Sequence, residues 1–186
     1  MSRAVLAVLL AASACAPSAD RPQVTAADLL KTADRAEKRP AGARFEVVER
    51  PCGDGRIAGL DVPAPSRITY RLNFPVRARL VTVPLLEGPA DASAEFRIGI
   101  SDRRTYETLL TRTIAGGTCA PETPMTVDLS GYAGWQWSLF YRPDERTWEV
   151  ILGVSVSGGI PAGATWGVPR IEADSRSVRS FSAARP

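Results

Sequence analysis

From Arg44 onward the apolar residues of this chain fall on alternate positions. Ile68, Tyr70 and Leu72 alternate with Thr69 and Arg71, Phe96, Ile98 and Ile100 with Arg97 and Gly99, and Val150, Leu152, Val154 and Val156 with Ile151, Gly153 and Ser155. Phe45 to Val48, Leu80 to Val83, Tyr106 to Ile114, the series Met125, Val127, Leu129 and the series Trp137, Leu139, Tyr141 extend the pattern. A period of two sends one set of side chains to a buried face and the other to a solvated face, which is strand geometry. Gly, Pro and Asp interrupt it about every eight to twelve residues, as between the strands of an antiparallel sandwich or barrel. An all-β fold is therefore expected. The stretch from Thr25 to Arg39 differs: Thr25-Ala26-Ala27-Asp28 resembles an N-terminal cap, helix formers follow, and Pro40 and Gly42 stop them. It predicts one short N-terminal helix with a thin apolar face of Leu29, Leu30 and Ala33.

The first residues constrain location. Arg3 precedes an apolar run from Ala4 to Ala12, followed by Ala12-Ser13-Ala14-Cys15. An apolar run of about nine residues is a secretory signal rather than a membrane span, which needs roughly 20. Cys15 after small residues resembles the lipobox of bacterial lipoproteins, in which that Cys is lipidated and becomes the mature N-terminus. Ala12 stands where Leu is usual, and Ala12-Ser13-Ala14 also suits the ordinary signal peptidase, which would leave Cys15 unmodified. Ala16 and Pro17 follow, without the Asp that resembles an inner-membrane retention signal. The expectation is an exported lipoprotein held on the membrane through lipid on Cys15, at the outer membrane or cell surface if the cell is Gram-negative. Residues 1–14 are then the signal peptide, 15–23 a tether, 24–43 the short helix and linker, 44–172 the sandwich and 173–186 a flexible tail rich in Ser and Arg.

Composition removes several chemistries. The chain has no histidine, which excludes Ser-His-Asp and Cys-His catalysis and His-based zinc sites within it. Formal net charge is only +3, and although all but Lys31 and Lys38 of the 23 basic residues are Arg, they are scattered among 20 acids. That argues against a nucleic-acid partner. If Cys15 takes lipid, Cys52 and Cys119 remain in an oxidising compartment, where a pair reads most simply as a disulfide. Two free thiols or a reactive cysteine are the alternatives.

Four segments carry a family resemblance. Pro65-Ser66-Arg67-Ile68-Thr69-Tyr70-Arg71-Leu72 leads to Ala78-Arg79-Leu80; Phe96-Arg97-Ile98-Gly99-Ile100-Ser101 precedes Thr108-Leu109-Leu110; Val127-Asp128-Leu129-Ser130-Gly131-Tyr132-Ala133-Gly134 follows; Trp166-Gly167-Val168-Pro169-Arg170-Ile171 closes the series. This order resembles the galactose-binding-like jelly rolls carried by bacterial envelope proteins, over roughly residues 44 to 172. The resemblance implies an antiparallel β-sandwich of jelly-roll type. Physical reading agrees: Asp128 can hold its own turn, Gly131 and Gly134 suit positive φ, and Pro169 in a strand implies an edge or a bulge. Val168 stands where the family has Asp, so no ligand role is carried there. Relatives often hold calcium, but here only the Asp54 turn invites inspection, and its oxygen ligands are too sparse. No metal or other cofactor is expected.

Four Trp and four Tyr raise the possibility of sugar stacking. Trp137 and Tyr141 share the phase of Leu139 and read as core, and Trp166 as packed. Trp135, Trp148 and Tyr132 sit beside turns and are the candidate ligand-binding residues. Asp102-Arg103-Arg104 reads as a solvated hairpin tip, and carboxylate pairs such as Asp144 with Glu145 carry no catalytic weight without burial. The expected function is non-catalytic binding at the cell envelope, with carbohydrate as the leading ligand. Docking of another envelope protein is the alternative.

Overall fold

The alternating segments pair into two antiparallel sheets whose apolar faces meet. A computed structural model describes residues 22–133, 147–159 and 163–183. The signal segment with Cys15, and Gly134, Trp135, Trp137, Tyr141, Asp144 and Glu145, lie outside the described residues. The strands are β1 (Gln23–Asp28), β2 (Glu37–Arg39), β3 (Glu46–Cys52), β4 (Gly55–Val62), β5 (Ser66–Leu72), β6 (Arg79–Glu87), β7 (Ser93–Ser101), β8 (Tyr106–Ala115), β9 (Thr118–Cys119), β10 (Met125–Asp128), β11 (Trp148–Gly158) and β12 (Gly163–Asp174), followed by helix α1 (Ser175–Ala183). One sheet has seven strands in the order β10-β6-β12-β4-β3, with β1 also on β12 and β9 on β6; the other has five, β2-β5-β11-β7-β8. The jelly-roll type of antiparallel sandwich expected from the sequence is the fold observed.

Register explains the core. Val150 lies opposite both Tyr70 and Ile100, and Leu152 opposite both Ile68 and Ile98, so the alternating residues of three strands form one apolar layer. Leu60, Trp166 and Leu80 face them from the seven-stranded sheet, all buried. Trp166 meets Phe96 edge to face, ring centroids 4.9 Å apart, which ties the two layers together. Pro169 sits where its missing N–H is harmless, in a bulge of β12 between Gly167 and Arg170. Val168 within that bulge has φ 37°, and the Pro169 carbonyl accepts from the Leu29 N–H at 3.0 Å. Glu172 on the same strand lies between Arg170 and Arg79, at 2.7 and 3.0 Å. Burial pushes its carboxyl up, and the two guanidinium hydrogen bonds outweigh this and hold it below the usual range.

Cys52 and Cys119 form a disulfide with Cα atoms 5.4 Å apart. It lies on the outer face of the seven-stranded sheet, over Ile57, Val83 and Leu85. Beside it Arg50 bridges Asp61 and Glu87 at 2.7 and 3.0 Å.

Three expectations are corrected. The N-terminal helix is a strand, a single 3-10 turn over Leu30–Thr32 and a second short strand. β12 continues to Asp174 and presents an open edge; β1 pairs with it from Gln23 to Asp28, and those ladder bonds outweigh a weak helical preference. Leu29 and Ala33 are nonetheless buried. The Ser- and Arg-rich tail is not without structure, because helix α1 occupies Ser175–Ala183. Asp174 supplies its cap, accepting the Arg176 and Ser177 N–H groups at 3.0 and 2.9 Å. Gly131 needs no positive φ, since it lies within the 3-10 turn Ser130–Tyr132; Asp128 does hold that turn, accepting the Ser130 N–H at 2.8 Å.

Candidate functional site

Two of the three aromatic residues chosen from the sequence come together. Tyr132 and Trp148 meet edge to face with centroids 5.1 Å apart, and both pack against the main core. The Tyr132 hydroxyl donates to Glu107 at 2.8 Å. Burial, followed by this bond and the Glu107 charge, pushes the phenol up to about 12, so it stays protonated. These rings are half-buried and committed to each other and to the core, where they close one end of the sandwich. Trp135 lies outside the described residues.

The outer face of the five-stranded sheet has a different character. The residues between the core-facing ones come into register there: Gly153 of β11 lies opposite Arg67 of β5 and Arg97 of β7, and Ile151 opposite Thr69 and Gly99. The β7–β8 turn sets the third component. Asp102 Oδ1 accepts from the Thr105 and Arg104 N–H groups at 2.8 and 2.9 Å, and these bonds hold its carboxyl below the usual range. The clasped turn delivers Tyr106 at the start of β8, opposite Ser101. Its ring lies across Gly99: a Cβ at that position would come within 2.5 Å of Tyr106 Cε2. Thr108 Oγ1 donates to the Tyr106 hydroxyl at 3.4 Å. Tyr106 is 50% exposed.

A groove of about 250 Å³ results, lined by Ser66, Arg67, Arg97, Tyr106, Ile151, Gly153 and Ser155. Its elements are an exposed ring, a floor of nearly bare backbone and guanidinium donors. The carboxylates beside it are held in ion pairs, Glu95 with Arg97 and Glu149 with Arg71 and Arg103. Such a site can stack a flat apolar ligand face and donate hydrogen bonds to its oxygens. A larger cleft of about 530 Å³ lies at the β5 edge, along Thr32, Arg35, Glu37 and Tyr70, but Tyr70 is 2% exposed and offers no ring face. Among the described residues no group of three or more acidic or cysteine side chains is placed to hold a metal ion, and Asp54 in the β3–β4 hairpin gathers no partners.

Along the chain Tyr106 is inconspicuous, because it shares its segment with apolar residues. The available signal was the pair of glycines at outward phase, Gly99 and Gly153, in strands otherwise rich in β-branched residues.

Neither a protein-family model nor a curated protein matches the sequence. Solved structures do. The CBM51-2 and INT domains of Clostridium perfringens ZmpB, in complex with GlcNAc, match over 74% of this chain and 29% of that one, at 12% identity and a TM-score of 0.50. What this chain shares with that structure is a β-sandwich fold. The CBM36-1 domain of a multidomain xylanase from the hindgut metagenome of Trinervitermes trinervoides matches over 82% of this chain and 95% of its own, at 12% identity and TM-score 0.44. The C-terminal family 22 carbohydrate-binding module of Clostridium thermocellum Xyn10B matches over 87% and 99%, at 13% identity and TM-score 0.42. This chain spans about a quarter to a third of the first structures it matches, at 26%, 29% and 30% of their lengths. At such identities the likeness is one of fold, and the fold hosts many functions.

Proposed function

We propose that this chain is an exported, lipid-anchored domain that binds carbohydrate at the cell envelope without catalysis. One observation carries the reading: the exposed Tyr106 ring lying across Gly99 at the mouth of a groove floored by Gly153. Sugar rings present flat C–H faces that pack on such a ring, while hydroxyls take hydrogen bonds from flanking polar groups. The described groove holds donors and a ring, with no carboxylate among its lining residues, which favours holding a sugar over cleaving one. Tyr106→Ala is expected to weaken glycan retention about tenfold or more, equivalent to about 1.4 kcal/mol, with little change in melting temperature because the side chain is half exposed. A glycan array read beside a thermal melt measures both. Undiminished binding would remove the groove from consideration, and a folded parent that retains no glycan would leave docking of an envelope protein as the better reading.

Anchoring rests on Ala12-Ser13-Ala14-Cys15. Each buried acyl CH₂ contributes about 0.8 kcal/mol, so two or more chains hold a protein on a membrane stably. Cys15→Ser is expected to move the protein from the membrane fraction to the soluble fraction. A variant that remains membrane-bound and is cut like the parent would refute lipidation at this residue.

A further inference from the structure

We infer that the groove selects an acidic sugar, a carboxylate-bearing uronic acid residue within a polysaccharide, an inference that rests on the carbohydrate-binding reading above. It begins with Gly153. A Cβ built there meets nothing closer than 3.8 Å, the Ser66 carbonyl, and its φ is not positive. Neither packing nor backbone conformation therefore requires glycine at this position. A strand interior disfavours glycine, and a β-branched residue would suit the sheet better. Gly99 is a contrast, since the Tyr106 ring occupies the space a side chain would need. What the missing side chain at 153 does provide is a gap between two arginines.

Arg67 and Arg97 lie directly opposite Gly153 on its two neighbouring strands. Strands are about 4.8 Å apart, so the two Cα atoms are separated by about 10 Å with bare backbone between them. Both side chains line the groove. Arg97 is paired with Glu95; Arg67 makes no direct ion pair among the described residues, and its charge acts only at longer range on Glu37 of the neighbouring strand. Around them Arg39, Arg71 and Arg103 are matched by Glu37 and Glu149 alone. The face thus carries more guanidinium than carboxylate, and its unpaired guanidinium stands in the groove. An arginine fork binds a carboxylate through two parallel N–H···O bonds, a geometry that a neutral hydroxyl does not match. A sugar ring resting on Tyr106 and extending over Gly153 would bring a C6 carboxylate to this pair.

The test uses the full chain in affinity electrophoresis against polygalacturonate, alginate and hyaluronate, with their carboxyl-reduced counterparts and polyglutamate as controls. At least one polyuronate is expected to bind about tenfold or more tighter than its reduced form and than polyglutamate. Arg67→Gln should remove that preference, so that the acidic form binds no tighter than the reduced form; a preference that persists undiminished would overturn the inference. Gly153→Val should abolish binding of both forms while the melting temperature holds or rises. Equal affinity for reduced and acidic forms would overturn the acidic-sugar inference and leave the carbohydrate reading standing. Failure of the folded parent to bind any saccharide would overturn both. Polyglutamate binding as tight as polyuronate binding, or full binding by Gly153→Val, would show a charged surface rather than a sugar site and would also overturn the inference.

Discussion

Trp166→Ala is expected to destabilise the protein by about 3–5 kcal/mol, the range for truncating a fully buried Trp. Trp166 has no exposed surface. It lies between Leu60 and Pro84 on the neighbouring strands and meets Phe96 of the opposite sheet, so no single strand can move inward to fill the void. Its indole N–H has no hydrogen-bond partner among the described residues, so the loss is one of packing and burial. A domain of this size loses about 2–4 °C in Tm per kcal/mol, giving a shift on the order of 10 °C. Trp148→Ala is the comparison: that ring is half-buried at the sandwich end, and its truncation should cost clearly less. Thermal or denaturant melts of both variants decide the matter. Equal losses would mean that Trp166 does not have the central packing role described.

The second large effect concerns the Cys52–Cys119 disulfide, whose partners are separated by 67 residues. Closing a loop of that length restricts the unfolded chain by about 4 kcal/mol on the chain-entropy model. The bond also covers Ile57, Val83 and Leu85, a small apolar cluster outside the main core. A Cys52→Ser, Cys119→Ser double variant should therefore melt well below the parent, and the parent should lose a similar amount in strong reductant. The variant itself should be insensitive to reductant. A parent whose melt ignores reductant would contradict this account. The groove lies on the other sheet, so whatever glycan binding the parent shows should persist in the folded double variant below its melting temperature.

Sandwich and core were legible because both rest on local alternation. Ile68, Tyr70, Phe96, Ile98, Ile100, Val150, Leu152 and Val154 share one phase and are all buried, whereas Leu72 and Val156 of the same phase, near strand ends, are half-buried and 44% exposed. The Pro169 bulge and the Asp128 turn followed from single-residue chemistry, a missing N–H in one case and a short acceptor in the other. The N-terminal segment reads as a helix along the chain because its partner, the β12 edge from Arg170 to Asp174, lies more than 140 residues away. Helix α1 is hidden along the chain by its Ser and Arg content, which masks Asp174, whose carboxylate caps it.

The candidate site divides in the same way. Tyr132 and Trp148 stood out as aromatics beside turns, a property visible in the sequence, yet what they pack against is a tertiary matter. Tyr106, Gly99, Gly153, Arg67 and Arg97 are individually unremarkable along the chain and become a groove only through register. By itself, the sequence determined which side chains share a face, because a period of two is enforced by the covalent geometry of an extended backbone. It also supplied the only two cysteines beyond the lipobox-like segment. Tertiary structure decided which strands are neighbours and which residues stand opposite one another. That register is chosen by turn geometry and by the joint filling of one core, and a slip of a single residue would have turned Gly153 inward and dispersed the arginines around it.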